Sequence, residues 1–445
     1  MLNTAENVLS QIARAAPVFA PVRLGRIVNC DGGLIEVSGL NAPIGTLCRV
    51  QTRADEAAPA AEVVGFRGGR SLMMLLGDTV RLQPGALVRA EGRPGVVQVG
   101  EEFLGRAVDG QGQPIDGGPP VKARNNWLLG GKRESALERS SVIEPFDCGV
   151  RAINALATMG VGQRLGVIAG SGVGKSVLLD TMVRGADCDI AIVGLIGERA
   201  REVSDFVGRH MHGPKRGRTI VVAVPSDHAA NLRLRGAQLA TSLAEYFRAQ
   251  GKRVLLVLDS LTRVAHASRE IALSLGEAGA ARGYPPSALA TITKLIERAG
   301  NSATSGGAIT GLYSVLADGD DQSDPVVDTA RAILDGHIVL SRDIAQRGHY
   351  PAIDIPASLS RVMTDVTAPD HRSNANALRG LIAAHESNRD FVLMGAYQAG
   401  TDPQLDRAMA LQQPIQNFLA QDAGENFSLP ESAAALAGLM DDAGR

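Results

Sequence analysis

The chain has 445 residues, enough for two or three domains, and its 45% apolar and 21% charged residues fit an ordinary soluble globular protein. Its 45 basic residues stand against 47 acidic ones, so no global surplus draws it to nucleic acid or anionic lipid. No run approaches the ~18 to 20 apolar residues of a membrane span, and "MLNTAENVLSQIARAA" lacks the basic start and long apolar core of a secretory signal.

At the N-terminus, Ala5, Val8, Leu9 and Ile12 fall on one helical face, with Asn3 or Thr4 as cap. Residues 1–19 read either as a short helix packed on its own domain or as an assembly and partner segment. Between 20 and 92 the texture changes to short β-like runs broken by glycine, "GRIVNCDGGLIEVSGL", "GTLCRV", "AEVVGFRG", "RSLMMLLG" and "GALVRA", which predict a small closed barrel. Barrels that bind single-stranded nucleic acid present aromatics on which bases stack, and Phe66 is the only aromatic here. A structural barrel is expected.

From 93 to 365, the runs "LGVIA", "IAIVGLIG", "TIVVAV", "VLLVLD", "ITGLYSVL" and "HIVLS" alternate with helical segments. That pattern predicts a parallel sheet with both faces covered. From 366 to 445 strands disappear, and "NALRGLIAAH", "LDRAMALQQPIQNFLAQ" and "PESAAALAGLM" have helical periods. Cys30, Cys48, Cys148 and Cys188 are scattered without Cys-x-x-Cys spacing and read as reduced core residues of a cytosolic protein, with a zinc site not expected.

The most informative stretch is "GVIAGSGVGKSVLL". Glycines between an apolar strand and a helix let several backbone N–H groups converge on one anion at a helix N-terminus. Ala169-Gly170-Ser171-Gly172-Val173-Gly174-Lys175-Ser176 fits a phosphate loop except that Ala169 stands at the first glycine. Lys175 then meets phosphate oxygens, Ser176 offers a hydroxyl to magnesium, and the ligand class is a nucleoside triphosphate. Ligands of an open parallel sheet bind beyond the carboxyl ends of its strands. Asp259, ending "VLLVLD", is therefore a candidate magnesium residue, with a helix N-cap as its plainer role. Glu198, just after "IAIVGLIG", is either a carboxylate that polarises an attacking water or a solvated first-turn glutamate.

"AGSGVGKS", "GLIGERAREVSDF", "VLLVLDSLTR", "RGYPPS", "DGHIVLSR", "GHYPAIDI" and "SLSRVM" occur in the order seen in the rotary ATP synthase subunit family. More closely, the chain resembles the type III export ATPases from about residue 20 to 420. The resemblance implies an α/β, RecA-like P-loop ATPase core, preceded by the barrel and followed by a helical C-terminal domain. It implies that Glu198 activates the attacking water with Arg199 beside it, and that Asp259 is magnesium-associated. Tyr350 would stack on adenine, and Arg361 would reach, as an arginine finger, the nucleotide of a neighbouring subunit. Judged alone, Tyr350 reads as core packing and Arg361 as a surface arginine.

Some positions depart from the family. Ala169 and Ser176 replace the Gly and Thr of the synthase catalytic subunit and fit the export ATPases better. The Gly-Glu-Pro before "RGYPPS" is Gly276-Glu277-Ala278, which leaves that loop's shape open, and only Phe427 offers itself as a second aromatic of the adenine pocket. "RAGN", "DDQSDP" and "GAYQAGTDPQLDRA" resemble the flagellar branch more than the injectisome branch. The resemblance thus implies a cytoplasmic homohexamer that hydrolyses ATP to ADP with Mg2+ and assists flagellar protein export. It further implies peripheral work at the membrane export gate with a stator-like regulatory subunit, a stalk subunit and export chaperones, and no nucleic-acid partner. An injectisome ATPase, an RNA translocase like the transcription terminator and a non-catalytic ring subunit are the rivals; the last is disfavoured by Glu198.

Overall fold

Alternation of buried and exposed side chains along short strands bends the first part of the chain into a closed barrel. Its strands are β1 (Leu24–Asp31), β2 (Leu34–Ser38), β3 (Leu47–Val50), β4 (Ala60–Arg67), β5 (Arg70–Leu75) and β6 (Leu87–Glu91), joined in the order β1-β2-β5-β4-β3-β6. Every pairing is antiparallel, and β6 returns to β1. Ile35, Val37, Val50, Ala61, Val63, Met73 and Val88 fill the interior at 1% exposure or less. Phe66 stands 56% exposed on β4, away from that interior.

The structure, a computed structural model, describes residues 23–31, 33–51, 58–77, 82–132, 135–317, 321 and 323–442. The amphipathic segment expected at residues 4–15, and the whole of 1–19, lies outside the described residues. The chain forms two compact units that divide between Val96 and Val97, and the barrel is the first.

β7 (Val96–Val99), which begins at the last residue of the first unit, pairs with β9 (Asn125–Leu128), and β10 (Pro145–Phe146) with β11 (Met159–Gly160). The main sheet has nine strands. These are β8 (Ala107–Val108), β12 (Arg164–Ala169), β13 (Ile190–Ile196), β14 (Thr219–Val224), β15 (Arg253–Asp259), β16 (Gly300–Asn301), β17 (Ala308–Leu316), β18 (Gly336–Leu340) and β19 (Ile353–Ser360). Their order is β19-β18-β12-β17-β15-β13-β14-β8, with β16 on β17.

From β18 to β8 all neighbours run parallel; β19 is antiparallel to β18. All six expected apolar runs are here as β12, β13, β14, β15, β17 and β18. β13 and β14 are buried at every position. Helices on both faces explain this, and each fully buried Val, Leu or Ile contributes about 1.5–3 kcal/mol. β19 has no such run: it alternates, carries Pro356 and closes the sheet as an edge.

After residue 366 only helices follow among the described residues, at Pro369–Ser387, Arg389–Leu393, Pro403–Ala410, Gln412–Leu419 and Leu429–Asp442. Pro369 and Pro403 begin helices where a missing N–H costs nothing, and Asp402 caps the N–H groups of Gln404 and Leu405. Leu378, Leu381, Ile415, Phe418 and Leu436 share one core with Val150, Ile153 and Leu165 of the preceding region. No helix among the described residues is long and apolar enough to cross a membrane.

The cysteines depart in part from expectation. Cys48, Cys148 and Cys188 are buried and free, whereas Cys30 is exposed at the end of β1, where the last four residues all face solvent after a register shift between Ile27 and Asn29. Burial pushes the Cys48 and Cys148 thiols up to about 12, so both stay protonated.

Candidate nucleotide site

β12 delivers the glycine loop to the carboxyl end of the sheet, and the helix Lys175–Gly185 leaves it. Gly172 and Gly174 hold φ of 78° and 91°, the left-handed region that side chains avoid. Gly174 also caps the helix, and a Cβ there would sit 3.5 Å from the Tyr350 ring. The loop opens on a cavity of about 680 Å³ lined by Gly170, Lys175, Ser176, Glu198, Asp259 and Arg263, among others.

Three buried charges meet in it. Lys175 Nζ donates to Glu198 Oε1 at 3.3 Å and to Asp259 Oδ1. Ser314 Oγ, from β17, donates to the same Asp259 oxygen. Burial works to neutralise Lys175, but the Asp259 and Glu198 carboxylates outweigh it and hold the ammonium charged beyond its ordinary range. Burial and the nearby Asp259 charge push the Glu198 carboxyl above its ordinary value, against the pull of Lys175. A carboxylate so placed holds a proton more readily than one in water, which is what a base at a dry site needs.

The local architecture removes the plainer structural reading of two carboxylates. Ser260, and not Asp259, caps the helix Leu261–Ser274 through its side chain, which accepts from Arg263 N. Glu198 is 9% exposed and precedes the helix Ala200–Met211, which puts it inside the cavity and not on a solvated first turn. Arg199, by contrast, points outward: its side chain is 83% exposed and its carboxylate neighbour is Glu202 at 3.9 Å.

Tyr350 and Pro351 wall a second cavity of about 330 Å³ against Val177, Leu178, Gln421 and Ala423. Tyr350 is 48% exposed, so it is a surface of this pocket and not a core residue. Phe427 does not line the pocket; its ring lies under the Arg151 guanidinium at 4.1 Å. Ala423 offers only a methyl group on that wall. The Gly276-Glu277-Ala278 loop closes without proline, because the Glu277 carboxylate accepts from the N–H and hydroxyl of Ser287 at the next helix start.

Arg361 is not at this end of the sheet. It follows β19, its N–H donates to Asp335 O, and Asp335 lies level with Arg164 at the start of β12. The phosphate loop begins five residues further along, at Ala169, or ~16 Å at the usual strand rise. Arg361 is exposed, and among the described residues its guanidinium donates only to Arg331 O, at 3.4 Å.

Arg263 was missed by sequence reasoning. It lines the nucleotide cavity four residues after Asp259, and its buried Nε has no hydrogen-bond partner among the described residues. Gly197, at φ 72°, makes room for it, since a Cβ there would lie 2.6 Å from Arg263 Cβ.

Residues 149–360 match the model of the ATP synthase alpha/beta family, nucleotide-binding domain, and residues 367–438 that of the T3SS EscN ATPase C-terminal domain. The chain is 46% identical to the flagellum-specific ATP synthase of Pseudomonas aeruginosa over 94% of both chains. It is 45% identical to that of Salmonella typhimurium over 95% of both. This chain belongs to the family of flagellum-specific ATP synthases and type III secretion ATPases. It is an ATPase. A type 3 secretion system ATPase of Xanthomonas euvesicatoria is 39% identical over 95% of both chains. The assembled ATPase EscN of the enteropathogenic E. coli type III secretion system superposes with a TM-score of 0.87 at 37% identity, covering 93% of this chain and 99% of that one. A second structure shows EscN in complex with its central stalk EscO, with a TM-score of 0.85 at 36% identity over 93% and 99% of the two chains.

Proposed function

We propose that the chain hydrolyses ATP as a homohexameric ring and that the ring assists protein export through the flagellar type III apparatus. The observation that carries the chemistry is the convergence of Lys175, Glu198 and Asp259 in one cavity beneath the glycine loop. The loop N–H groups from Gly170 to Ser176 and the Lys175 ammonium bind the phosphates. Glu198 orients the water and accepts its proton as the terminal phosphate is attacked in line. Tyr350 stacks on the base, next to the phosphate loop.

A magnesium ion fits the donors present. Ser176 offers a hydroxyl at the cavity, and both hydrogen bonds of Asp259 fall on Oδ1, leaving Oδ2 without one among the described residues. These are hard oxygen donors of the kind that hold magnesium together with phosphates, where the ion neutralises charge on the transferring group.

Arg361 lies too far from its own phosphate loop to serve it, which supports a role at the neighbour's site. Head-to-tail contacts that put one chain's arginine on the next chain's loop close into a ring by rotation. EscN, assembled and with its central stalk, supports both the ring and a stalk partner for this chain. Identities of 46% and 45% to flagellar relatives, against 39% to a secretion-system relative, support the flagellar setting. In that setting the protein is cytoplasmic and reaches the membrane through the export gate, a stator-like subunit and chaperones.

Lys175→Ala removes a charge from the cavity and little from the apolar packing. Steady-state phosphate release from the purified ring should fall to background while the far-UV spectrum is unchanged. Wild-type turnover in that variant would contradict the site.

A further inference from the structure

We propose that the buried Asp180–His210 pair is a positioning element for hydrolysis, a polar strut that fixes the helix following Glu198 against the helix following the phosphate loop. The proposal rests on Glu198 acting as the base.

The two helices start at the chemistry and are pinned together away from it. Lys175 opens one, and Asp180 lies five residues on, ~7.5 Å along the axis. Glu198 and Arg199 lead into the other, whose last turn carries His210. His210 Nε2 and Asp180 Oδ1 are 2.7 Å apart, with side chains only 6% and 10% exposed. A carboxylate only accepts, so Nε2 carries the proton and donates it. Burial pushes the Asp180 carboxyl up, but His210, Arg209 and Arg184 outweigh it and hold it below its ordinary value. Asp180 is therefore the fixed charge on which the second helix is anchored.

Arg209, the residue before His210, also donates to Asp180 Oδ1, at a longer 3.4 Å and from a half-exposed side chain; the other buried supports of that helix are apolar. Its exposed face bears Arg201 and Asp205, and its cap at Arg199 makes no side-chain hydrogen bond. Val203, Phe206 and Met211 bury against the core, contacts that permit sliding, whereas a charge-assisted hydrogen bond selects one distance and angle. The His210 ring also stacks on Phe206, with centroids 4.1 Å apart, and Phe206 lines the nucleotide cavity. The strut thus braces the cavity wall as well as the helix. A displacement of about 1 Å at a catalytic group costs about a hundredfold in rate. The competing account is that Glu198 is held by its own strand end, where Gly197 N donates to Val224 O and Ser226 N to Glu198 O.

The experiment compares His210→Ala and His210→Gln in the assembled ATPase, measuring kcat by phosphate release and affinity with a fluorescent ATP analogue. His210→Ala should lower kcat by about ten- to a hundredfold while the analogue's Kd moves less than about threefold. His210→Gln, whose amide donates from near the Nε2 position, should recover most of the rate. An unchanged kcat in His210→Ala, a parallel loss of affinity, or no recovery in His210→Gln would each overturn the strut. If His210→Ala does not fold, Asp180→Asn takes its place, with a smaller kcat loss at unchanged affinity expected and a normal kcat overturning. Glu198→Gln is measured alongside. Retained hydrolysis there removes the reading of Glu198 itself, whereas its loss beside a normal His210→Ala removes only the strut.

Discussion

The two ends of the nine-stranded sheet are built from opposite materials. At the carboxyl end, glycines and small residues surround three charges that are nearly sealed from water, Lys175, Glu198 and Asp259. At the other end, arginines meet carboxylates in half-open pairs: Arg164 with Asp335 at 3.0 Å and Glu297 at 2.9 Å, and Arg253 with Glu144 at 3.4 Å. Sealed charges cost desolvation energy that a hydrophobic cluster would not, so their retention points to chemistry. An exposed pair such as Arg253–Glu144 contributes about 0–1 kcal/mol. Arg361 belongs to neither pattern, being exposed and paired with no carboxylate among the described residues. A cation left unspent at the far end of the sheet is what a neighbouring copy's phosphate site would draw on.

The contrast breaks most sharply at Arg361. Arg361→Ala alone should lower kcat by about 10³–10⁵ while ATP binding holds. Mixed under subunit exchange with Lys175→Ala chains, whose arginine is intact, it should regain part of the activity, read as phosphate release from doubly tagged rings. Wild-type turnover of Arg361→Ala would return that end of the sheet to a structural role. Next in size, Glu198→Gln should lose about 10²–10⁴ in kcat and keep nucleotide affinity. Lost affinity with preserved turnover per bound nucleotide would make the sealed cluster a binding device only.

The smallest effect is a pH limb. Burial, then the Asp259 charge, raises the Glu198 pKa from 4.5 in the folded protein, so the base is lost as pH falls through that higher value. kcat/KM, which reports the free enzyme, should decline on the acid side at a midpoint above 4.5. A profile level down to that pH would mean that a different group sets the limb.

What was legible in the sequence follows from burial. Strands covered on both faces must be apolar throughout, so β12, β13, β14, β15, β17 and β18 announced themselves as runs. β19 did not, because an edge strand alternates and tolerates Pro356, and β8 has only two residues. The phosphate loop was legible because its function restricts backbone and side chain together. Arg263 was not, since a helical arginine four residues past an aspartate has the same sequence on a surface as in a cavity. Phe427 went to Arg151, a partner far away in sequence that no local pattern announces.

β19 has a further consequence. Tyr350 lies three residues before it and Arg361 directly after it, and the strand between is eight residues, or ~26 Å. One end stands beside this chain's own phosphate loop and the other at the opposite rim of the sheet. If Arg361 serves the next copy, each β19 is a tie-rod between two sites. A nucleotide that shifts Tyr350 along the strand direction would then pull on this chain's own Arg361 at the neighbour's site, so that occupancy of one site is felt at the next.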